Sequence, residues 1–114
     1  MDKARKREIL QAYKEEKRPV GIFAVRCVAT DQVWIGMSRN LTQQKNGVWF
    51  SLRLGSHPNR KLQAVWNEKG EAAFTFEVVE ELDDEGLSRL GLTDLLKTKD
   101  KEWRAALNGD ALVG

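Results

Sequence analysis

The sequence predicts a small α+β domain: a three-stranded antiparallel sheet flanked by helices, in the order α-β-β-α-α-β-α. Three observations lead there. Residues 20–28 and 33–37 are rich in valine, isoleucine and aromatics and flank the polar "ATDQ", which reads as a hairpin. Residues 73–82, "AFTFEVVEEL", alternate well enough to form a third strand. The segments around these strands repeat apolar residues near helical spacing.

Each element has a local reason. Asp2 is placed to cap a first helix running to about Glu16, with Ile9, Leu10 and Tyr13 as a narrow apolar stripe and Pro19 as its end. After the hairpin, Asn40 is placed to cap a second helix in which Leu41, Val48, Trp49 and Leu52 recur. Gly47 weakens that helix by up to about 1 kcal/mol and is a candidate kink. Gly55 stops it, and "SHPN" forms a turn. A third helix follows from about Asn59 to Glu68, with Leu62, Val65 and Trp66 inward and Gly70 as its stop. In the last strand Phe74, Phe76 and Val78 share a face. "DDEG" then opens an acidic turn or short helix. Thr93 is placed to cap a final helix through about Leu107, with Leu95, Leu96, Trp103 and Leu107 as core.

These elements fit one domain over residues 1–114: an N-terminal helix (1–19), a core (20–82) and a C-terminal helical segment (83–114). At 41% hydrophobic and 32% charged residues, the composition is that of a folded, water-soluble chain. No apolar run approaches the roughly 20 residues that span a bilayer. The opening "MDKARKREIL" lacks the apolar stretch of a signal peptide, so no membrane partner and a cytoplasmic location are expected. Cys27 is the one cysteine, which excludes an intrachain disulfide framework and a cysteine-based zinc site and fits a reduced, packed thiol.

The net charge of +2 hides an asymmetry. Residues 1–69 carry 14 Lys+Arg against 6 Asp+Glu, and residues 70–114 carry 5 against 11. One reading is a basic face for a polyanion with an acidic face turned away; the other is two solvated surfaces that attract each other across the fold.

The hairpin and the residues after it resemble the GIY-YIG nuclease family. "GIF" at 21–23 stands where the family has GIY, and "WIG" at 34–36 where it has YIG. "MSRNL" at 37–41 looks like the family's serine-containing turn and helix start. "LRLGSHPNRKLQAVWNEKGEAAFTFEVVEEL" at 52–82 looks like the segment of phage and homing-type members. The match spans roughly residues 20–82, and Gly21, Ile22, Ile35, Gly36, Asn40 and Leu41 keep the motif framework. The resemblance implies a GIY-YIG-like fold and phosphodiester chemistry. A tyrosine activates water, a helix arginine steadies the phosphate, and a glutamate holds one divalent metal ion, Mg²⁺ or Mn²⁺ if the chain is active.

Carried over position by position, those roles fall on altered residues. The first tyrosine becomes Phe23, which has no proton to exchange, and the second becomes Trp34, a donor only. These aromatics then serve as packing or as surfaces for stacking on a nucleotide. Tyr13, the one tyrosine, lies outside the motif. The helix arginine becomes the neutral Gln44, and a helix histidine becomes Val48. His57 alone keeps a catalytic residue type: either a turn residue in solvent, or a phosphate contact or proton relay. For the metal carboxylate, Asp100, ahead of Trp103, is the first candidate and Glu102 the next; both are also explained as solvated charges beside Lys99 and Lys101.

Three functions remain open. The first is a nucleic-acid-binding domain, for DNA ahead of RNA, whose cleavage chemistry is impaired or lost; Arg39, Lys45, Arg53, Arg60 and Lys61 would hold the backbone. The second is an active, divergent, metal-dependent endonuclease. The third is a protein-interaction or regulatory domain, anchored by some of the four tryptophans.

Overall fold

Strand β1 (Val20–Cys27) lies at the centre of the sheet, and its composition follows from that position. It pairs antiparallel with β2 (Gln32–Ser38) on one side and β3 (Phe74–Leu82) on the other. Both faces are covered, so every residue except Arg26 is buried and the strand reads as a continuous apolar run. The computed structural model describes residues 19–112; the helix expected over residues 2–16, Tyr13 and the basic residues beside them lie outside that range.

The β1–β2 turn occupies residues 28–31, one position earlier than "ATDQ". Asp31 adopts a left-handed φ of 63°, a conformation that Asp tolerates better than most residues, and its N–H closes on the Cys27 carbonyl at 2.8 Å.

The sheet is mixed and four-stranded, in the order β3-β1-β2-β4, which corrects the expected three-stranded antiparallel sheet. Strand β4 (Asp110–Ala111) runs parallel to β2, with Trp34 opposite Asp110 and Ile35 opposite Ala111. Two residues are too few to show a period, so pattern reading passes over them. Asn108 turns the chain with φ 52°, and Gly109 passes close to β2: a Cβ there would lie 3.0 Å from Ile35 Cγ1.

Helices α1 (Leu41–Leu54) and α2 (Arg60–Lys69) cover one face of the sheet, and α3 (Arg89–Leu107) is packed on the other. Phe23, Val25, Trp34 and Phe74 meet Trp49, Leu52, Leu62 and Trp66 on the first face. Ile22, Ala24, Val33 and Ile35 meet Leu92 and Leu96 on the second.

Helix α1 starts after Asn40 as expected, but the Asn40 side chain makes no capping bond. Instead the Leu41 N–H donates to the Pro19 carbonyl at 2.8 Å, and the Asn40 N–H donates to Ser38 Oγ at 3.0 Å. α1 continues through Gly47 and closes at Gly55 (φ 75°), whose N–H and that of Ser56 return to the carbonyls of Leu52 and Ser51. In α2, Asn59 caps as expected: its Oδ1 accepts from the Leu62 N–H at 3.0 Å.

The start of α3 is a second correction. Ser88, not Thr93, is the cap, its hydroxyl accepting from the Gly91 N–H at 3.0 Å. Thr93 lies inside the helix and donates to the Arg89 carbonyl, an alternative use of a hydroxyl that sequence cannot separate from capping.

In β3 the expected face holds for Phe74 and Phe76 but not for Val78, which is 48% exposed. The register against β1 shifts between Ile22 and Phe23, which face Glu80 and Val78, so Val79 is the extra residue of a bulge. The bulge reconciles an odd spacing: Val79 and Leu82, three apart, both pack toward α3. Between them Glu80 accepts a hydrogen bond from Trp103 Nε1 at 2.9 Å.

Candidate functional site

Phe23 and Trp34, the two motif aromatics, are each 1% exposed. Phe23 stacks on Phe76, with ring centroids 5.0 Å apart, and its far edge rests on Gly36, where a Cβ would come within 2.5 Å of Phe23 Cζ. Trp34 packs at 6.4 Å from Phe74. Both rings are core, which removes the expectation that they stack on a nucleotide. Val48 is buried beside Trp49 and Leu52, as an apolar replacement should be. The framework residues also have steric roles. Ile22 and Ile35 fill the α3 face, Leu41 fills the α1 face, and Gly21 lets the β3 backbone approach so closely that a Cβ would lie 2.1 Å from the Glu80 carbonyl oxygen.

The remaining motif residues gather at two clefts. The first, of about 320 Å³, opens between the end of β2, the first turn of α1 and α3, and is lined by Met37, Ser38, Arg39, Gln44, Thr93 and Leu96. Ser38 Oγ accepts from the Asn40 N–H and donates to Gln44 Oε1 at 2.8 Å, which fixes the Gln44 carboxamide. The Arg39 guanidinium donates to Thr93 Oγ1 across the cleft. Asn40 Oδ1 is buried with no hydrogen-bond partner among the described residues.

The second cleft, of about 630 Å³, lies between the end of α1 and the start of α2, and His57, Arg60 and Gln63 line it. His57 is fixed by its own turn: Nδ1 accepts from the Asn59 N–H at 3.0 Å, and the His57 backbone N–H donates to Gln63 Oε1 at 3.1 Å. This leaves the neutral ring's proton on Nε2. Partial burial pushes the His57 pKa below its ordinary value. The turn is anchored from both sides. Gln63 Nε2 donates to the Leu52 carbonyl at 3.0 Å and to Asn67 Oδ1 at 2.9 Å, while Asn59 Nδ2 donates to the carbonyls of Ala111 and Leu112.

The basic residues divide by partner. Arg60 and Lys61 are exposed at the start of α2. The Lys45 ammonium lies 5.7 Å from the centroid of the Trp49 ring. Arg53 is held in a fork by Glu71, with Nε 2.6 Å from Oε1 and Nη2 2.9 Å from Oε2. That pair draws Glu71 below the usual carboxylate range and raises Arg53.

The two metal candidates do not converge. Asp100 Oδ2 lies 3.0 Å from Arg104 Nε; burial raises its pKa and Arg104 opposes the rise. Glu102 pairs with Lys99 at 3.6 Å. Neither lines either cleft, and among the described residues no group of three or more His, Cys, Asp or Glu is arranged to hold a metal ion. With Asp100 held by Arg104 and Glu102 by Lys99, neither offers the unpaired carboxylate that the divalent ion implied by the resemblance would need. Trp34, Trp49 and Trp66 are buried and Trp103 is partly buried, so core packing accounts for the tryptophans considered as partner anchors.

Sequence reading did not place Ser38, Thr93 or Gln63 at a site: Ser38 stood only in the turn motif and Thr93 only as a helix cap. Thr93 reaches the first cleft from 54 residues away, so no local signal marks it. Gln63 looks like any polar helix residue until its side chain is seen tying α1 to the His57 turn.

A hairpin, two helices on one face, a third strand and a long helix on the other face make a GIY-YIG-like fold. Among solved structures, the chain is similar to the catalytic domain of intron endonuclease I-TevI in a mutant form: TM-score 0.68, 24% identity, 84% of this chain and 99% of that one. It is also similar to the catalytic domain of homing endonuclease I-TevI: TM-score 0.68, 22% identity, 83% of this chain and 99% of that one. No protein-family model and no curated protein matches the sequence. No helix among the described residues is long and apolar enough to cross a membrane.

Proposed function

We propose that this chain is a nucleic-acid-binding domain, for DNA ahead of RNA, that uses a GIY-YIG-like fold without hydrolysing phosphodiesters. The observation that carries the second half is Phe23. At the position where the resemblance puts a proton-accepting tyrosine there is a phenyl ring, 1% exposed and stacked in the core. No base reaches water there, and the loss of general-base catalysis alone removes roughly 10²–10⁴ in rate. The neutral Gln44 removes charge from the phosphate position as well.

Binding is supported by where the charge lies. From Arg39 to Lys69, across the β2–α1 turn, α1 and α2, the chain carries 6 Lys+Arg and 1 Asp+Glu. From 74 to 88, across β3 and the loop after it, the chain carries 6 Asp+Glu and no Lys or Arg, whereas α3 carries 3 Asp+Glu and 5 Lys+Arg. A basic layer of α1 and α2, with the acidic run set apart on the edge strand β3 and its loop, presents one face to a polyanion. The nuclease domains named above, similar in fold, support DNA as that polyanion.

The test combines a gel shift with a cleavage assay on plasmid and single-stranded DNA in Mg²⁺ or Mn²⁺. The expected result is salt-dependent binding with no cleavage above a protein-free control. Cleavage that co-purifies with the protein would establish the active-nuclease reading instead, and absence of binding at low salt would favour a protein-interaction domain.

A further inference from the structure

The cleft between β2, α1 and α3 contains the position where the resemblance implies a phosphate-binding arginine, and Gln44 stands there uncharged. Positive charge returns to the cleft from another element. Arg39, on the turn before α1, lines the same space and donates to the neutral Thr93 hydroxyl. One such bond leaves most of the five guanidinium donors unused. Three other arginines differ: Glu71 holds Arg53, Asp100 holds Arg104 and Asp31 lies 4.0 Å from Arg26. No carboxylate among the described residues pairs with Arg39, Arg60 or Arg89, and of these Arg39 is the one that lines this cleft. No carboxylate lines the cleft either.

The other walls suit a nucleotide. Ser38 Oγ already accepts from the Asn40 N–H, so its proton goes to Gln44 Oε1 and the Gln44 amide nitrogen is left as a donor. Met37 and Leu96 supply apolar surface. A volume of about 320 Å³ is near the lower end of small-ligand sites and admits one nucleotide, not a duplex.

We infer that this cleft binds one phosphate-bearing nucleotide of a nucleic-acid strand, with Arg39 on the phosphate and the Gln44 amide on the sugar or base. The phosphate contact has moved from the helix to the preceding turn. The inference rests on the reading that the chain binds nucleic acid, and it names the residue and the unit bound.

The test measures anisotropy of a short 3′-labelled oligothymidine, with and without a 5′-phosphate, against the full chain, Arg39→Gln, and the double variant Arg60→Gln/Lys61→Gln. Arg39→Gln should weaken binding about tenfold and lower the salt slope by about 0.7, the loss of one single-strand phosphate contact. A preference for the 5′-phosphorylated probe that Arg39→Gln abolishes assigns the cleft to a strand end; equal loss on both probes assigns it to an internal phosphodiester. Arg39→Gln binding both probes within twofold of the unaltered chain, while the Arg60/Lys61 variant loses them, would overturn the cleft and leave nucleic-acid binding standing. An unaltered chain that binds neither probe overturns both.

Discussion

Phe23 and Phe76 stack with ring planes only 18° apart, across the pairing of β1 with β3. Gly36 closes the far edge of the Phe23 ring. The position that would carry a catalytic hydroxyl is thus built into the core that holds the sheet to α1 and α2. Restoring the hydroxyl should not restore chemistry. In Phe23→Tyr the oxygen would be buried against Gly36 without a ready partner, which costs about 1–3 kcal/mol. Urea unfolding should show that loss, and the variant should still leave plasmid intact in Mg²⁺. A Phe23→Tyr protein as stable as its parent and able to cleave DNA would show that this ring is not locked in the core.

Two glycines should respond to alanine with opposite signs. A Cβ on Gly21 would lie 2.1 Å from the Glu80 carbonyl oxygen, a backbone atom that moves only if β3 moves. Gly47 lies mid-helix in α1, exposed, with nothing within 4 Å of such a Cβ. Gly47→Ala should stabilise by about 0.5–1 kcal/mol because alanine has the higher helix propensity. Gly21→Ala should destabilise by more than that, since β1 and β3 must separate. Paired thermal melts check the order; a stabilised Gly21→Ala would contradict the close strand approach.

These glycines also show what sequence reveals and what it hides. Gly21 and Gly36 were legible because they flank long apolar runs in a fixed order, and those runs are long because β1 is covered on both faces. The final strand was not legible, since two residues at Asp110–Ala111 show no alternation. Nor was the Val79 bulge, which depends on the partner strand for its register. At the clefts, His57 and Gln44 could be found from local order. The contacts that define them could not: Thr93 meets Arg39 from another layer, and Glu71 occupies Arg53 from 18 residues away.

His57 gives a pH dependence of definite sign. Its folded pKa lies below the ordinary 6.5 because burial disfavours the charged ring, and Nδ1 is engaged as an acceptor from the Asn59 N–H. Above about pH 6.5 neither state holds the proton, and the His57 contribution to stability is full. As pH falls below that value the unfolded chain protonates first. Stability declines until pH passes the lower folded pKa, where the loss is complete. His57→Asn keeps an oxygen that can accept from the Asn59 N–H but does not titrate there. Urea unfolding at neutral and mildly acidic pH should show a shallower decline for His57→Asn than for its parent. Equal slopes would mean that this ring is as solvated as a free histidine.

The Arg53–Glu71 fork makes a prediction about binding. Arg53 extends from the basic layer, yet both carboxylate oxygens of Glu71 engage its guanidinium. The pair is exposed, so it adds little to stability and weakens with salt. Its pH sign is fixed: Glu71 is drawn below the usual carboxylate range, so the contribution is full above the unfolded pKa and lost as pH falls through the folded one. At neutral pH the fork persists and competes with any phosphate for Arg53. Arg53→Gln should therefore weaken DNA binding less than Arg60→Gln, because Arg60 has no such competitor among the described residues. Glu71→Gln keeps the shape and removes the charge, so it should strengthen binding about two- to tenfold and steepen the salt slope by up to about 1, with little change in melting temperature. If Glu71→Gln leaves both affinity and slope unchanged, the phosphate path runs along α2 and does not reach the end of α1.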